Sequence, residues 1–261
     1  MNEGRIRKSI KACFFFGLLC LVLILSGCAK TKFALRSRPK TPEEIPPRIA
    51  IVLDDAGNTS TCLLDVENIS FPVTIAVLPS VAYSQKFCYV NNPFVKKIVH
   101  VPMEAEKLYP GPETIYASMS EKEIMEALEV IFGQFPDLKG FNNHMGSVFM
   151  KDERALRTVF LFAKKRKLFF LNSLTVSDDT ARRLAESLGV PYLERDIFLD
   201  NKADRSYIQE KFIEGLAGAR DNTFCIIQGH VRPDTVRALR DLVPKAQKEG
   251  FRFVFLEDLY Q

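Results

Sequence analysis

Short apolar runs alternate along the chain with stretches of helical period. The runs are Ile49–Leu53, Val73–Leu78, Lys97–Val99, Lys139–Phe141, Leu168–Leu171, Thr223–Ile227 and Arg252–Leu256, rich in β-branched and aromatic residues. Between them, Ser120 and Glu123 have capping-box spacing, and Ile124, Leu128, Ile131 and Phe135 follow as one apolar stripe. Asp152 to Lys165 repeats the pattern through Leu156, Val159, Phe160 and Ala163, and residues 177–188, 204–217 and 234–248 continue it. Such alternation predicts parallel strands wrapped by helices. With Pro191–Leu193 or Ile197–Leu199 adding one more, seven or eight strands point to a barrel.

Residues 1–47 break this pattern. Arg5, Arg7, Lys8 and Lys11 precede an apolar run from Ala12 to Leu25, too short to span a bilayer comfortably and suited to a signal peptide. The run ends in Leu25-Ser26-Gly27-Cys28, which resembles the lipobox of bacterial lipoproteins. That resemblance implies removal of residues 1–27, acylation of Cys28, and an exported protein held at a membrane of the bacterial cell envelope. An uncleaved anchor is the alternative, and it would still tether the domain to the exported side. Residues 28–47 read as a flexible tether, leaving 48–261 as one domain long enough to bury a sizeable core.

This division changes the charge picture. Residues 1–47 carry a formal charge of +6 and residues 48–261 carry −2, which together make the +4 of the whole chain. Nothing in that balance favours nucleic acid, which needs a clustered basic face. Of six cysteines, Cys62, Cys88 and Cys225 fall in the domain without CxxC spacing, so neither a disulfide framework nor a thiolate zinc site is expected.

In parallel α/β architectures chemistry gathers at the carboxyl ends of strands. Asp54-Asp55 closes the first run, His100 the third, His144 follows the fourth, Asn172-Ser173 the fifth and Gln228-Gly229-His230 a late one, so all three histidines point to one face. Each has a plainer reading. Asp54-Asp55-Ala56-Gly57 could be a turn, although adjacent carboxylates call for a proton or cation. His100 could be a core histidine, and His230 could cap the helix before Pro233. Glu104, four residues past His100 and beyond a proline expected to end the strand, could be a metal ligand, a partner orienting His100, or a solvated charge. Asn142 and Asn143 could simply form a loop.

Leu53-Asp54-Asp55-Ala56-Gly57, His100-Val101-Pro102-Met103-Glu104, Asn142-Asn143-His144-Met145-Gly146-Ser147, Phe169–Ser173, Asp196–Asp200 and Gln228-Gly229-His230 together resemble the ordered motifs of the divergent polysaccharide deacetylase family. This is a distant branch of the NodB-like carbohydrate esterases, and the likeness runs from about Arg48 to the C-terminus. It implies a distorted (β/α) barrel holding a divalent metal, usually zinc. Asp55, His100 and His144 would be its ligands, with Glu104 the alternative to His144. Asp54 would be the base and His230 the acid or a stabiliser of the transition state, while a backbone N–H near Tyr83 or Met145 would serve the oxyanion. Asn142, Asn143 and Ser173 would bind substrate or orient the site.

The expected activity is hydrolysis of N-acetyl groups on an envelope or exported polysaccharide. Two departures stand out: Asn172-Ser173-Leu174-Thr175 replaces the family's Asp-Ser-Arg-Thr, and Val231-Arg232-Pro233 follows His230 where proline is usual. They motivate a second reading, a tethered glycan-binding or scaffold lipoprotein with little or no catalysis. A phosphoesterase ranks third, because Arg232 is the one basic residue near these motifs.

Overall fold

The computed structural model describes residues 46–260. The expected signal peptide, the Cys28 lipid site and nearly all of the tether lie outside the described residues. Pro47, expected in the tether, already belongs to the fold, because its carbonyl accepts the Arg252 N–H at 2.9 Å. No helix among the described residues is long and apolar enough to cross a membrane.

In chain order the elements are β1 (Arg48–Ala56), α1 (Leu63–Glu67), β2 (Val73–Val77), α2 (Ser84–Cys88), β3 (Val95–Met103), α3 (Glu121–Gly133), β4 (Gly140–Met145), α4 (Glu153–Arg166), β5 (Phe169–Asn172), α5 (Thr180–Leu188), β6 (Tyr192–Glu194), β7 (Ile197–Phe198), α6 (Arg205–Asn222), β8 (Phe224–His230), α7 (Pro233–Lys248) and β9 (Arg252–Val254). The strands run parallel in the order β6-β5-β4-β3-β2-β1-β8-β7, a curled α/β half-barrel whose edges β6 and β7 do not pair. The expected barrel of seven or eight strands is thus present, with both Tyr192–Glu194 and Ile197–Phe198 contributing and with β9 added beside the first half of β1.

Helix starts follow the chemistry of their caps. Ser120 accepts from the Glu123 N–H while Glu123 accepts from the Ser120 N–H, and Asp152 and Asp204 cap α4 and α6 by accepting from Ala155 and Tyr207. α1 and α2 have five residues each, too few for a helical period to register in the sequence.

Side chains alternate across each strand, and this divides the core in two. Ile49, Ile51, Leu53, Val99, Phe141, Phe170 and Ile227 pack outward under the helices. Ala50, Val52, Ala76, Ile98, Leu171, Leu193 and Ile226 pack inward and fill the barrel. The inward rows continue upward through positions 54, 100, 142, 173 and 228, where the residues are polar: Asp54, His100, Asn142, Ser173 and Gln228. The apolar interior therefore ends in a polar layer at the mouth.

Two expectations about strand ends are corrected. His100 lies inside β3, which continues through Pro102 to Met103, and His144 lies inside β4. Pro102 is tolerated because β2 stops pairing at Val99; on that vacated side Pro102 supplies only its carbonyl, to the Ile115 N–H at 3.0 Å.

Candidate metal centre

Asp54 faces inward by strand parity, so its neighbour Asp55 would face the helices in a regular strand. Instead the β1 register shifts between Leu53 and Ala56, and Asp55 takes a left-handed backbone conformation with φ 61°. This bulge turns the second carboxylate back over the mouth. Gly57 follows with φ 115°, where an added Cβ would stand 2.9 Å from Val81.

Three donor atoms then converge. Asp55 Oδ1 is 3.3 Å from His100 Nε2 and 3.1 Å from His144 Nδ1, and the two imidazole nitrogens are 3.1 Å apart. Donors about 2.0 Å from one tetrahedral ion are spaced about 3.3 Å from each other, so this triangle matches the face of such a site. Asp55, His100 and His144 could hold a metal ion. The donor set, one carboxylate and two imidazoles, suits a divalent transition metal.

The surroundings prepare each donor. The side chain of Asn142, fully buried, receives the His100 Nδ1–H on Oδ1 at 2.7 Å and donates Nδ2 to Asp54 Oδ1 at 3.0 Å, which leaves His100 Nε2 with its lone pair toward the centre. The other Asp54 oxygen accepts from Gln228 Nε2, and Ser173 Oγ accepts from both Gln228 (3.0 Å) and Asn142 (3.2 Å). Gln228 Oε1 is buried and makes no hydrogen bond among the described residues.

Electrostatics call for positive charge here. Burial raises the Asp55 pKa, but hydrogen bonds to His100 and His144, and their charge, hold it well below the usual carboxylate range. For His100, burial opposes protonation, yet the charge of Asp54 and then the contacts with Asp55 raise its pKa above the ordinary imidazole value. Two carboxylates, with no lysine or arginine ion-paired to them among the described residues, form a nest for a cation.

His230 stands opposite, with Nε2 3.7 Å from Asp55 Oδ2 and Nδ1 2.8 Å from Asp200 Oδ1. Asp200, 1% exposed, also accepts from the His230 backbone N–H (3.0 Å) and from Thr235 Oγ1 (2.6 Å). Burial raises the Asp200 pKa, but the His230 contact outweighs it and keeps the carboxyl below its ordinary range. Phe198 packs edge-on against the His230 ring at 5.2 Å.

Several expectations change. Glu104 is not among the clustered donors: its Oε2 accepts the Ala117 N–H at 2.8 Å, because β3 has ended and the chain has turned toward Ile115. Asn142, rather than Glu104, orients His100. Asn142, Asn143 and Ser173 are all buried, which fits orienting roles; Asn143 accepts the Ser173 N–H and donates to the Met145 carbonyl. The Tyr83 N–H is already committed to the Gly57 carbonyl at 2.9 Å.

Three residues at this site carried no assigned role in the sequence: Asp200, Gln228 and Arg195. Phe198 pairs with Gln228, so two residues further on Asp200 meets His230; the motif was visible, the register was not. Arg195 donates to the carbonyls of Ser173 (3.0 Å) and Leu174 (3.4 Å), so a guanidinium braces the loop even though position 174 lacks one. Beside Met145 lies a hollow of about 370 Å³, lined by Ala105, Leu108, Ser147 and Thr175, with exposed Leu108 and Tyr109 on its loop.

A family model described as divergent polysaccharide deacetylase matches residues 51–260. An uncharacterized protein, YibQ, of Escherichia coli K12 is 29% identical over 198 residues, 75% of this chain; the chain spans 62% of that relative's length. Among solved structures, the uncharacterized protein ATU2773 from Agrobacterium tumefaciens C58 superposes with a TM-score of 0.78 at 21% identity, covering 84% of this chain and 91% of that one. BA3943, a CE4 family pseudoenzyme from Bacillus anthracis, matches with a TM-score of 0.50 at 10% identity, over 83% of this chain and 66% of that one. These likenesses show the fold.

Proposed function

The chain belongs to the divergent polysaccharide deacetylase family, and from that membership we propose that it is a metal-dependent hydrolase removing N-acetyl groups from an envelope or exported polysaccharide, lipid-anchored through Cys28. The observation that carries this reading is the convergence of Asp55, His100 and His144 donors at 3.1–3.3 Å beside a second, separately held carboxylate, Asp54. Bound there, a divalent cation such as zinc supplies Lewis acidity, polarising an acyl carbonyl and acidifying water. Asp54, its oxygens aimed by Asn142 and Gln228, accepts the proton of the attacking water. His230, its Nδ1–H bound to Asp200, presents Nε2 to the centre and returns a proton to the departing amine nitrogen. The hollow beside Met145 and the exposed Tyr109 offer an apolar wall to a sugar ring.

The second reading, a glycan-binding protein without turnover, draws on Asn172 and Leu174 and on the existence of a pseudoenzyme with this fold. Against it, Asn172 points away from the ion site and donates to Tyr192 Oη at 2.9 Å. Elemental analysis of the wild type and His144→Ala, together with acetate release from an N-acetylated oligosaccharide, tests the proposal. Stoichiometric metal lost in the variant and metal-dependent acetate release are expected; metal-loaded protein that binds the oligosaccharide without releasing acetate supports the second reading.

A further inference from the structure

We propose that the floor of the half-barrel, at the starts of β3, β4 and β5, docks on an anionic lipid headgroup surface. All strands are parallel, so their first residues share the end opposite the metal centre, and the returning helices finish there. That end exposes Lys96 at the start of β3, Lys139 just before β4, and Lys164, Lys165 and Lys167 where α4 turns into β5. Lys96 pairs with Glu257 at 3.4 Å and Arg166 with Glu129, whereas Lys139, Lys164, Lys165 and Lys167 form no ion pair among the described residues. Asp137 is the remaining acidic group near Lys139, in the same hollow. Phe94, 41% exposed, stands two residues before Lys96.

The domain carries −2 overall, so this basic group is a local concentration rather than a general excess. Exposed lysines and an exposed aromatic at the same end of the sheet match the demands of a headgroup layer: the ammonium groups stay in the polar zone while the ring enters the acyl boundary. A protein partner would call for an apolar, charge-poor centre, which this surface lacks. The direction of chain entry gives independent support. Arg48 donates to the Thr223 carbonyl at 3.0 Å and Pro47 accepts from Arg252, so residues 28–47, with five further Lys or Arg, join the domain at this same end. Docking would hold the metal centre facing away from the bilayer.

The test uses the full chain added to vesicles of phosphatidylcholine with or without phosphatidylglycerol, labelled with a membrane-impermeant amine reagent and read by mass spectrometry. Lys139, Lys164, Lys165 and Lys167 are expected to label at least ~3-fold less on the anionic vesicles, with high salt restoring them, while Lys107, Lys151 and Lys202 do not change. In the combined variant Lys139→Glu, Lys164→Glu, Lys167→Glu, the protection of Lys165 is expected to disappear while the melting temperature is unaltered. Equal labelling on both vesicle types, with the chain still bound, would mean that its N-terminal segment alone attaches it and would overturn the proposal. Protection spread evenly over floor and mouth lysines would overturn it as well.

Discussion

Two hydrogen-bonded networks lie one pleat apart at the mouth, and their contrast separates chemistry from architecture. The inner one joins Asp54, His100, Asn142, Ser173 and Gln228, and every member sits on an inward-facing row. The outer one runs from the Asn172 amide to the Tyr192 hydroxyl and on to Glu194 Oε1 at 2.6 Å, on the helix side of β5 and β6. Both bury polar atoms; the outer one pairs its amide, hydroxyl and carboxylate in sequence, whereas the inner one leaves Gln228 Oε1 without a hydrogen bond among the described residues. Only the inner network touches the converged donors. The family's aspartate that is missing here belongs to position 172, so the departure rewires the outer network: an amide donates to Tyr192 where a carboxylate could only accept.

The contrast can be broken most forcefully at the centre itself. Asp55→Ala should abolish stoichiometric metal and all turnover, read by elemental analysis and acetate release, whereas Asp54→Asn should keep the metal and lower turnover on the order of 10²–10⁴-fold. Equal activity in either variant would defeat the roles given to them. Next, Asn142→Leu removes the group shared by His100 and Asp54, and metal affinity measured by competition with a chelator should fall about 10–100-fold. A smaller effect is expected at Asn172→Asp. Losing the donor to Tyr192 should cost about 1–3 kcal/mol, seen as a melting temperature lower by several degrees, with metal content unchanged.

The smallest effect concerns pH. The folded pKa of Asp200 lies below its ordinary value of 3.8. Its stabilising contribution is therefore complete above about pH 4 and fades as pH falls through the folded value. Asp200→Asn lacks this contribution, so its deficit in unfolding free energy against wild type should shrink between about pH 6 and about pH 3 in urea titrations.

Much of this was legible in the sequence because a parallel sheet imposes simple rules. Apolar runs gave strands, Ser120 and Asp152 marked helix starts, and polar residues just past the runs marked the mouth. What escaped depended on register or on backbone geometry. Asp200 meets His230 only because β7 pairs with β8 at Phe198–Gln228. Asp55 joins the histidines only because a bulge reverses its side, and two adjacent aspartates do not announce a positive φ. Glu104 looked equivalent to a ligand by spacing, but spacing counts residues, and the strand had already ended. Asn172 and Asn142 look alike in sequence; parity alone assigns one to the helices and the other to the centre.

The barrel interior below the polar layer is filled by apolar side chains, with the Phe169 ring tilted against Tyr260 at 4.9 Å between centroids and Leu256 buried beneath the strands. The half-barrel of the described residues is consequently a cup rather than a tube. On the proposed reading, polymer, water and freed acetate all pass through one opening, so a long chain lying across the rim would have to slide or lift before each small product escapes.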